Sequence, residues 1–244
     1  MCGITGSWRP GGLRPGTDAF LDAMMDTIDH RGPDGRGTHV DPALGLAVGH
    51  TRLSIIDLAG GRQPLVSADG DLVLSVNGEF YDYKRIRAEL ACEGERFATK
   101  SDSEIALPLF RRDGLAFVEQ LRGEFAFALH QRSADRLLLV RDRFGIKPLY
   151  YHLAGDEIVW GSEVKAILAH PAVPRRLDPR AAVHQSMQVM VPGSTAYEGV
   201  RAVPPGHMLI VERRGEELRT TLRRYWDLEF PAAEEHLTPG AAEE

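Results

Sequence analysis

Met1-Cys2-Gly3-Ile4-Thr5-Gly6-Ser7-Trp8 opens the chain. Glycine after Cys2 lets processing remove the initiator methionine, which leaves one residue carrying both a thiol and a free α-amine. That amine has a pKa of roughly 7.7–8.0 and a free thiol roughly 8.5, so the amine can take the thiol proton without another side chain. Residues 3–8 read as a buried strand and Arg9-Pro-Gly-Gly12 as the turn after it. A cysteine at position 2 is also what chance produces. Only the remainder of the chain distinguishes the two.

The chain has 244 residues, 43% of them hydrophobic, enough for a substantial core in one large domain or two small ones. No apolar run approaches the roughly 18 residues of a membrane span, and the N-terminus lacks the basic and apolar regions of a signal peptide. The expectation is a soluble, cytoplasmic protein with no membrane association. Cys2 and Cys92 are the only cysteines, which excludes a disulfide framework and a CxxC metal site. Cys92 reads as a small apolar residue late in a helix. Six of the 35 acids fall in residues 227–244, which contain no Lys or Arg, so the rest balances at 29 acids against 29 bases. No basic footprint for nucleic acid remains. The stretch 227–244 reads as an acidic linker or tail.

Outward from the first strand, Thr17 is a candidate N-cap for a helix over about 18–29, with Phe20, Leu21, Met24, Met25 and Ile28 on one face. The helix stops at His30-Arg31-Gly32-Pro33-Asp34-Gly35. Alternation at Leu44, Leu46 and Val48 predicts a strand over 44–49, leading to Arg52, a lone base among apolar neighbours. Arg52 suits either a structural ion pair or a fork for a substrate carboxylate. Gly60-Gly-Arg-Gln-Pro64 breaks the chain. A strand through Leu72, Leu74 and Val76 runs into Asn77-Gly78-Glu79, a turn by composition or an oxyanion site made from a side-chain amide and a backbone N–H. Residues 83–92 suit a helix. Ser101 and Glu104 have capping-box spacing before a second helix, so Asp102 is either helix-dipole chemistry or a receiver for an ammonium group. A short helix through Leu115, Val118 and Leu121 precedes strands at 124–130 and 136–141, and a second pair at 149–153 and 157–161 follows a charged loop. A helix at 163–168, another near 179–187 and strands near 207–212 and 217–223 complete the reading. Strands arriving as hairpins with helices between groups argue an α+β fold with two antiparallel sheets face to face and helices outside.

Five separated segments carry a resemblance: Met1-Cys-Gly-Ile, Arg31-Gly-Pro-Asp34, His50-Thr-Arg-Leu-Ser-Ile-Ile-Asp57, Asn77-Gly-Glu-Phe-Tyr81 and Asp142-Arg-Phe-Gly-Ile-Lys-Pro-Leu-Tyr150. Ser101-Asp102, Gly161-Ser-Glu163, Pro204-Pro-Gly206 and Tyr225-Trp226 agree as well. Together they resemble the glutaminase domain of asparagine synthetase, a class II glutamine amidotransferase, over residues 1–226. The resemblance implies the four-layer αββα sandwich of the N-terminal-nucleophile hydrolases. It implies Cys2 as nucleophile, Asn77 and the Gly78 N–H as oxyanion donors, Arg52 for the α-carboxylate of L-glutamine, Asp102 and Glu79 for its α-ammonium, and backbone groups near Leu53 and Ile55 as the rest of the cradle.

Phe80 and Asp82 depart from the family's usual Ile and Asn in the Asn-Gly-Glu segment, and Lys100 stands where glycine is common before Ser101. No Ser-Gly-Gly-x-Asp-Ser pyrophosphate loop occurs, so the expected partner is an ATP-dependent synthetase domain or subunit, with a homodimer as a further association. The glutaminase half needs no cofactor or metal on this reading, since ATP and Mg serve the synthetase. The rival readings are an amide hydrolase of the same fold with another substrate, and a catalytically idle scaffold for a synthetase.

Overall fold

The computed structural model describes residues 1–189 and 191–230. In chain order it forms β1 (Gly3–Trp8), α1 (Thr17–Thr27), β2 (Gly35–Asp41), β3 (Leu46–Arg52), β4 (Leu65–Val66), β5 (Leu72–Phe80), α2 (Tyr83–Cys92), α3 (Ala106–Asp113), β6 (Gly123–Gln131), β7 (Arg136–Arg141), β8 (Tyr150–Ala154), β9 (Glu157–Gly161), α4 (Val164–Leu168), α5 (Pro179–Ser186), β10 (Val200–Ala202), β11 (His207–Arg214) and β12 (Glu217–Arg224). The strands make two six-stranded sheets, ordered β10-β8-β9-β1-β3-β2 and β12-β11-β7-β6-β5-β4. Every pairing between them is antiparallel.

Period-two alternation gives each sheet two apolar faces. Between the sheets, Ile4, Trp8, Leu46, Val48 and Trp160 of the first meet Val73, Ala126, Leu137, Leu139 and Leu209 of the second. On the outer side of the first sheet, α1 lays Phe20 and Met24 with Ile167 of α4 against Val159. On the outer side of the second, Ile86 and Leu90 of α2 and Leu109 and Phe110 of α3 cover Leu74, Val76, Phe127 and Leu129. The result is the four-layer αββα sandwich, as expected. Each such side chain contributes roughly 1.5–3 kcal/mol on burial, so Ile4 and Trp8, fully buried, anchor the strand that carries Cys2. Gly6 between them has no room for a Cβ, which would stand 2.4 Å from the Trp160 ring. Among the described residues no helix is long and apolar enough to cross a membrane.

Several local expectations are corrected. The N-cap of α1 is Gly16 at φ 79°, with no side-chain cap, and Thr17 Oγ1 instead donates to the Arg14 carbonyl at 2.6 Å. The capping box does not form: the Glu104 carboxylate accepts from the N–H groups of Ala98 and Thr99 at 2.6 and 2.8 Å, and a 3-10 turn over Ser103–Ile105 precedes α3. Residues 114–120 are 3-10 rather than α-helix. Cys92 ends α2 but is exposed. β2, β4 and β10 escaped the sequence reading, because an edge strand such as Gly35-Arg-Gly-Thr-His-Val-Asp41 needs no apolar alternation when one side faces solvent. The Asn77-Gly78 pair is not a turn. β5 continues through it to Phe80 opposite Gly123. Most of the acidic tail, 231–244, lies outside the described residues.

Candidate active site

Register brings the site together. β1 pairs with β3 so that Gly3 faces Thr51, which sets Cys2 beside the end of β3 at Arg52 and Leu53. The Leu53 N–H donates to Cys2 Sγ at 3.4 Å, and the thiol donates to the Leu53 carbonyl at 3.6 Å. Burial pushes the Cys2 thiol up, opposed by the Leu53 N–H, the chain-terminal amine and Arg52. A group held in this way needs a base close by before it can attack.

A cavity of about 210 Å³ opens at this point, and all eight residues expected in the site line it: Cys2, Arg52, Leu53, Ile55, Asn77, Gly78, Glu79 and Asp102. Asn77 reaches it from β5. Its side chain is fully buried, yet neither Oδ1 nor Nδ2 has a hydrogen-bond partner among the described residues. Burying an unpaired amide costs about 1–3 kcal/mol, a cost tolerated where the group serves a ligand. Gly78 follows at φ 144°, and a Cβ there would lie 2.0 Å from the Glu124 carbonyl across the β5–β6 ladder, so only glycine fits. The odd residues of β5 bond β6, as at Asp71 and Tyr81 on either end. Antiparallel alternation therefore sends the N–H of even residues out of the opposite edge. At Phe80 that N–H is taken by Asp102 Oδ2 at 2.9 Å. At Gly78 it leaves the ladder on the cavity wall.

Opposite charges share this wall. Asp102 is buried, and burial raises its carboxyl above the ordinary range despite the Phe80 N–H. Glu79 is half-buried beside it. Arg52 donates Nη1 to the Leu58 carbonyl at 3.1 Å and Nη2 to those of Ile56 and Asp57 at 3.3 and 2.6 Å. A guanidinium has five N–H donors, so two remain for a ligand carboxylate. Arg52 thus organises the loop after β3 as well as lining the cavity. Ile55 sits on that loop, 61% exposed. A cation and two carboxylates around one small cavity suit a zwitterion.

Three participants went unassigned in the sequence reading. Arg31, largely buried, donates Nε to the Cys2 carbonyl at 2.9 Å and Nη1 to Glu163 Oε1 at 3.0 Å, tying down the end of β1. Its Arg-Gly-Pro-Asp motif marked it, but only the fold shows what it holds. Lys147 and Glu124 form an ion pair at 2.9 Å on the cavity wall, and the ammonium holds the Glu124 carboxyl below its ordinary range. They lie 23 residues apart with no shared motif, so no local signal pairs them.

Known proteins resemble this chain over most of its length. Amidase chry2 of Gibberella zeae is 40% identical over 231 residues, covering 91% of this chain and 33% of that protein. The glutamine-hydrolyzing asparagine synthetase 2 of Bacillus subtilis is 34% identical over 240 residues, covering 94% of this chain and 31% of its own. The chain therefore spans about a third of the length of these relatives. The solved structure of the glutamine phosphoribosylpyrophosphate amidotransferase from B. subtilis superposes with a TM-score of 0.65 at 22% identity, over 92% of this chain and 49% of that one, a likeness of fold. Residues 1–226 match the family described as the glutamine amidotransferase domain, and the chain belongs to that family.

Proposed function

We propose that this domain hydrolyses L-glutamine to glutamate and ammonia through a γ-glutamyl thioester on Cys2, and that the ammonia serves an ATP-dependent amidation of the asparagine-synthetase type on a partner domain or subunit. The observation that carries the reading is the unpartnered Asn77 amide on the wall of the cavity that Cys2 also lines. With Met1 removed, the Cys2 amine takes the thiol proton as Sγ attacks the side-chain carboxamide carbon of glutamine. Asn77 Nδ2 and the Gly78 N–H hold the oxyanion of the tetrahedral intermediate. The ammonium formed on Cys2 returns its proton to the leaving nitrogen, and ammonia departs. Water, deprotonated by the same amine, then attacks the thioester carbon and frees glutamate. Arg52 takes the substrate carboxylate, and Asp102 and Glu79 take its ammonium.

The direct test is ammonia release from glutamine by the purified chain, with intact mass measured alongside. The expected mass lacks Met1, because the methionine here occupies the cavity wall and blocks the amine of Cys2. A chain that keeps Met1 and still turns over at full rate contradicts the mechanism. Arg52→Ala is expected to raise KM by about 10- to 100-fold with a smaller change in kcat, since the lost charge-assisted contact exists before and during reaction. An unchanged KM removes Arg52 from the substrate site.

The amidase names among the relatives support a second reading, an amide hydrolase of the same fold acting on another substrate. The paired charges of Arg52 and Asp102 favour an amino acid. Faster hydrolysis of simple amides lacking the α-groups would favour the alternative.

A further inference from the structure

Along its outer edge β5 is paired at its start, before the cavity begins. β4 pairs Leu65 with Leu74 and Val66 with Val73. The next position on that edge is Val76, and extending the register puts Gln63 opposite it. The main chain does not continue the ladder there. The Gln63 side-chain carboxamide does so in its place: Oε1 accepts the Val76 N–H at 2.6 Å and Nε2 donates to the Val76 carbonyl at 3.2 Å. A carboxamide is the side-chain equivalent of a peptide group, so Gln63 lengthens the sheet by one residue. His50 Nε2 reaches the same carbonyl at 3.1 Å from β3. Since a carbonyl only accepts, Nε2 carries the proton. Burial lowers the His50 pKa to about 4, so the ring is neutral over the working range of an amine base.

Immediately beyond Val76 come Asn77 and Gly78, whose outer edge has no strand beside it among the described residues. We propose that Gln63 is a positioning residue for the oxyanion site: by gripping both polar groups of Val76, it aims the Asn77 amide and the Gly78 N–H at the carboxamide oxygen that becomes the oxyanion when Cys2 attacks. The inference rests on the glutaminase reading above. Gln63 lines the cavity, but its carbonyl oxygen and an amide N–H are engaged with β5, so it acts through the strand rather than on the substrate. The physical requirement is strict, because a displacement of about 1 Å at a reacting centre costs roughly 10²-fold in rate.

Two variants test this, Gln63→Met and Gln63→Glu, assayed for glutamine hydrolysis in the Met1-trimmed form. Gln63→Met keeps the length and removes both hydrogen bonds. Its kcat is expected to fall roughly 10- to 100-fold with KM within about twofold, because the oxyanion exists only after attack. In Gln63→Glu the ionised carboxylate still accepts from the Val76 N–H but meets the Val76 carbonyl without a donor. Protonation restores the donor, so its kcat relative to wild type is expected to rise as pH is lowered. A merely structural role would move KM together with kcat and leave that ratio flat with pH. Wild-type kcat in both variants, or a flat ratio, overturns the proposal. If Gln63→Met does not fold, the Gln63→Glu ratio decides alone. A wild-type chain that releases no ammonia from glutamine overturns the underlying reading and this proposal with it, whereas an active wild type with indifferent variants overturns only the role of Gln63.

Discussion

Replacing Cys2 with alanine is expected to remove glutamine hydrolysis, by at least about 10⁴-fold, while leaving the fold intact. The size follows from the role. No other residue on the cavity wall is a thiol, since Cys92 is exposed at the end of α2, and without Sγ no covalent intermediate forms. The fold should be indifferent, because the side chain makes only weak sulfur contacts with the Leu53 backbone, while β1 is held by Ile4, Trp8 and the Arg31 bond to the Cys2 carbonyl. Thermal unfolding within about 1 kcal/mol of wild type is the expected control. Ammonia release at a wild-type rate from a well-folded Cys2→Ala would discard the thioester route.

Asn77→Ala is the second large effect, and it runs in opposite directions for activity and stability. Removing one preorganised oxyanion donor costs about 10²–10³-fold in kcat, roughly 2.7–4 kcal/mol of barrier. KM should hardly move, because the donor engages charge that develops only after Cys2 attacks. The folded domain, however, makes no protein hydrogen bond through this amide, whose Oδ1 and Nδ2 have no partner among the described residues. Its removal deletes no protein hydrogen bond and relieves an unpaired polar burial worth about 1–3 kcal/mol, against a small cavity cost at the edge of space that is already open. The variant should therefore melt no lower than wild type. Steady-state kinetics and a melting curve on the same preparation check both halves. A raised KM with the lower kcat, together with a lower melting temperature, would mean that Asn77 is a packing residue.

Arg52 shows how far a local reading reaches. As a lone base after an apolar strand, it was legible as a carboxylate fork or a structural ion pair. The structure gives it a third occupation, three bonds to the carbonyls of Ile56, Asp57 and Leu58. Nothing in the residue pattern could show this, because the acceptors are backbone atoms that every residue carries. Asn77-Gly78 is the converse case. Its composition reads as a turn, and the ladder overrides that preference because β6 supplies partners on both sides of the pair. Gln63 left only a trace, a polar residue before Pro64 in a glycine-rich break.

From its residues alone the chain determined its layers and its chemistry. Period-two alternation and paired hairpins specify sheets with two apolar faces, and a cysteine beside a removable methionine marks the candidate nucleophile. These properties are local, so the order of residues is enough to express them. The tertiary structure alone decided which groups stand around Cys2 and what each is left free to do. Leu53, Asn77 and Asp102 are distant in sequence and meet only through strand register, and the orphaned amide of Asn77 and the edge grip of Gln63 exist only once neighbouring strands have claimed every other hydrogen bond.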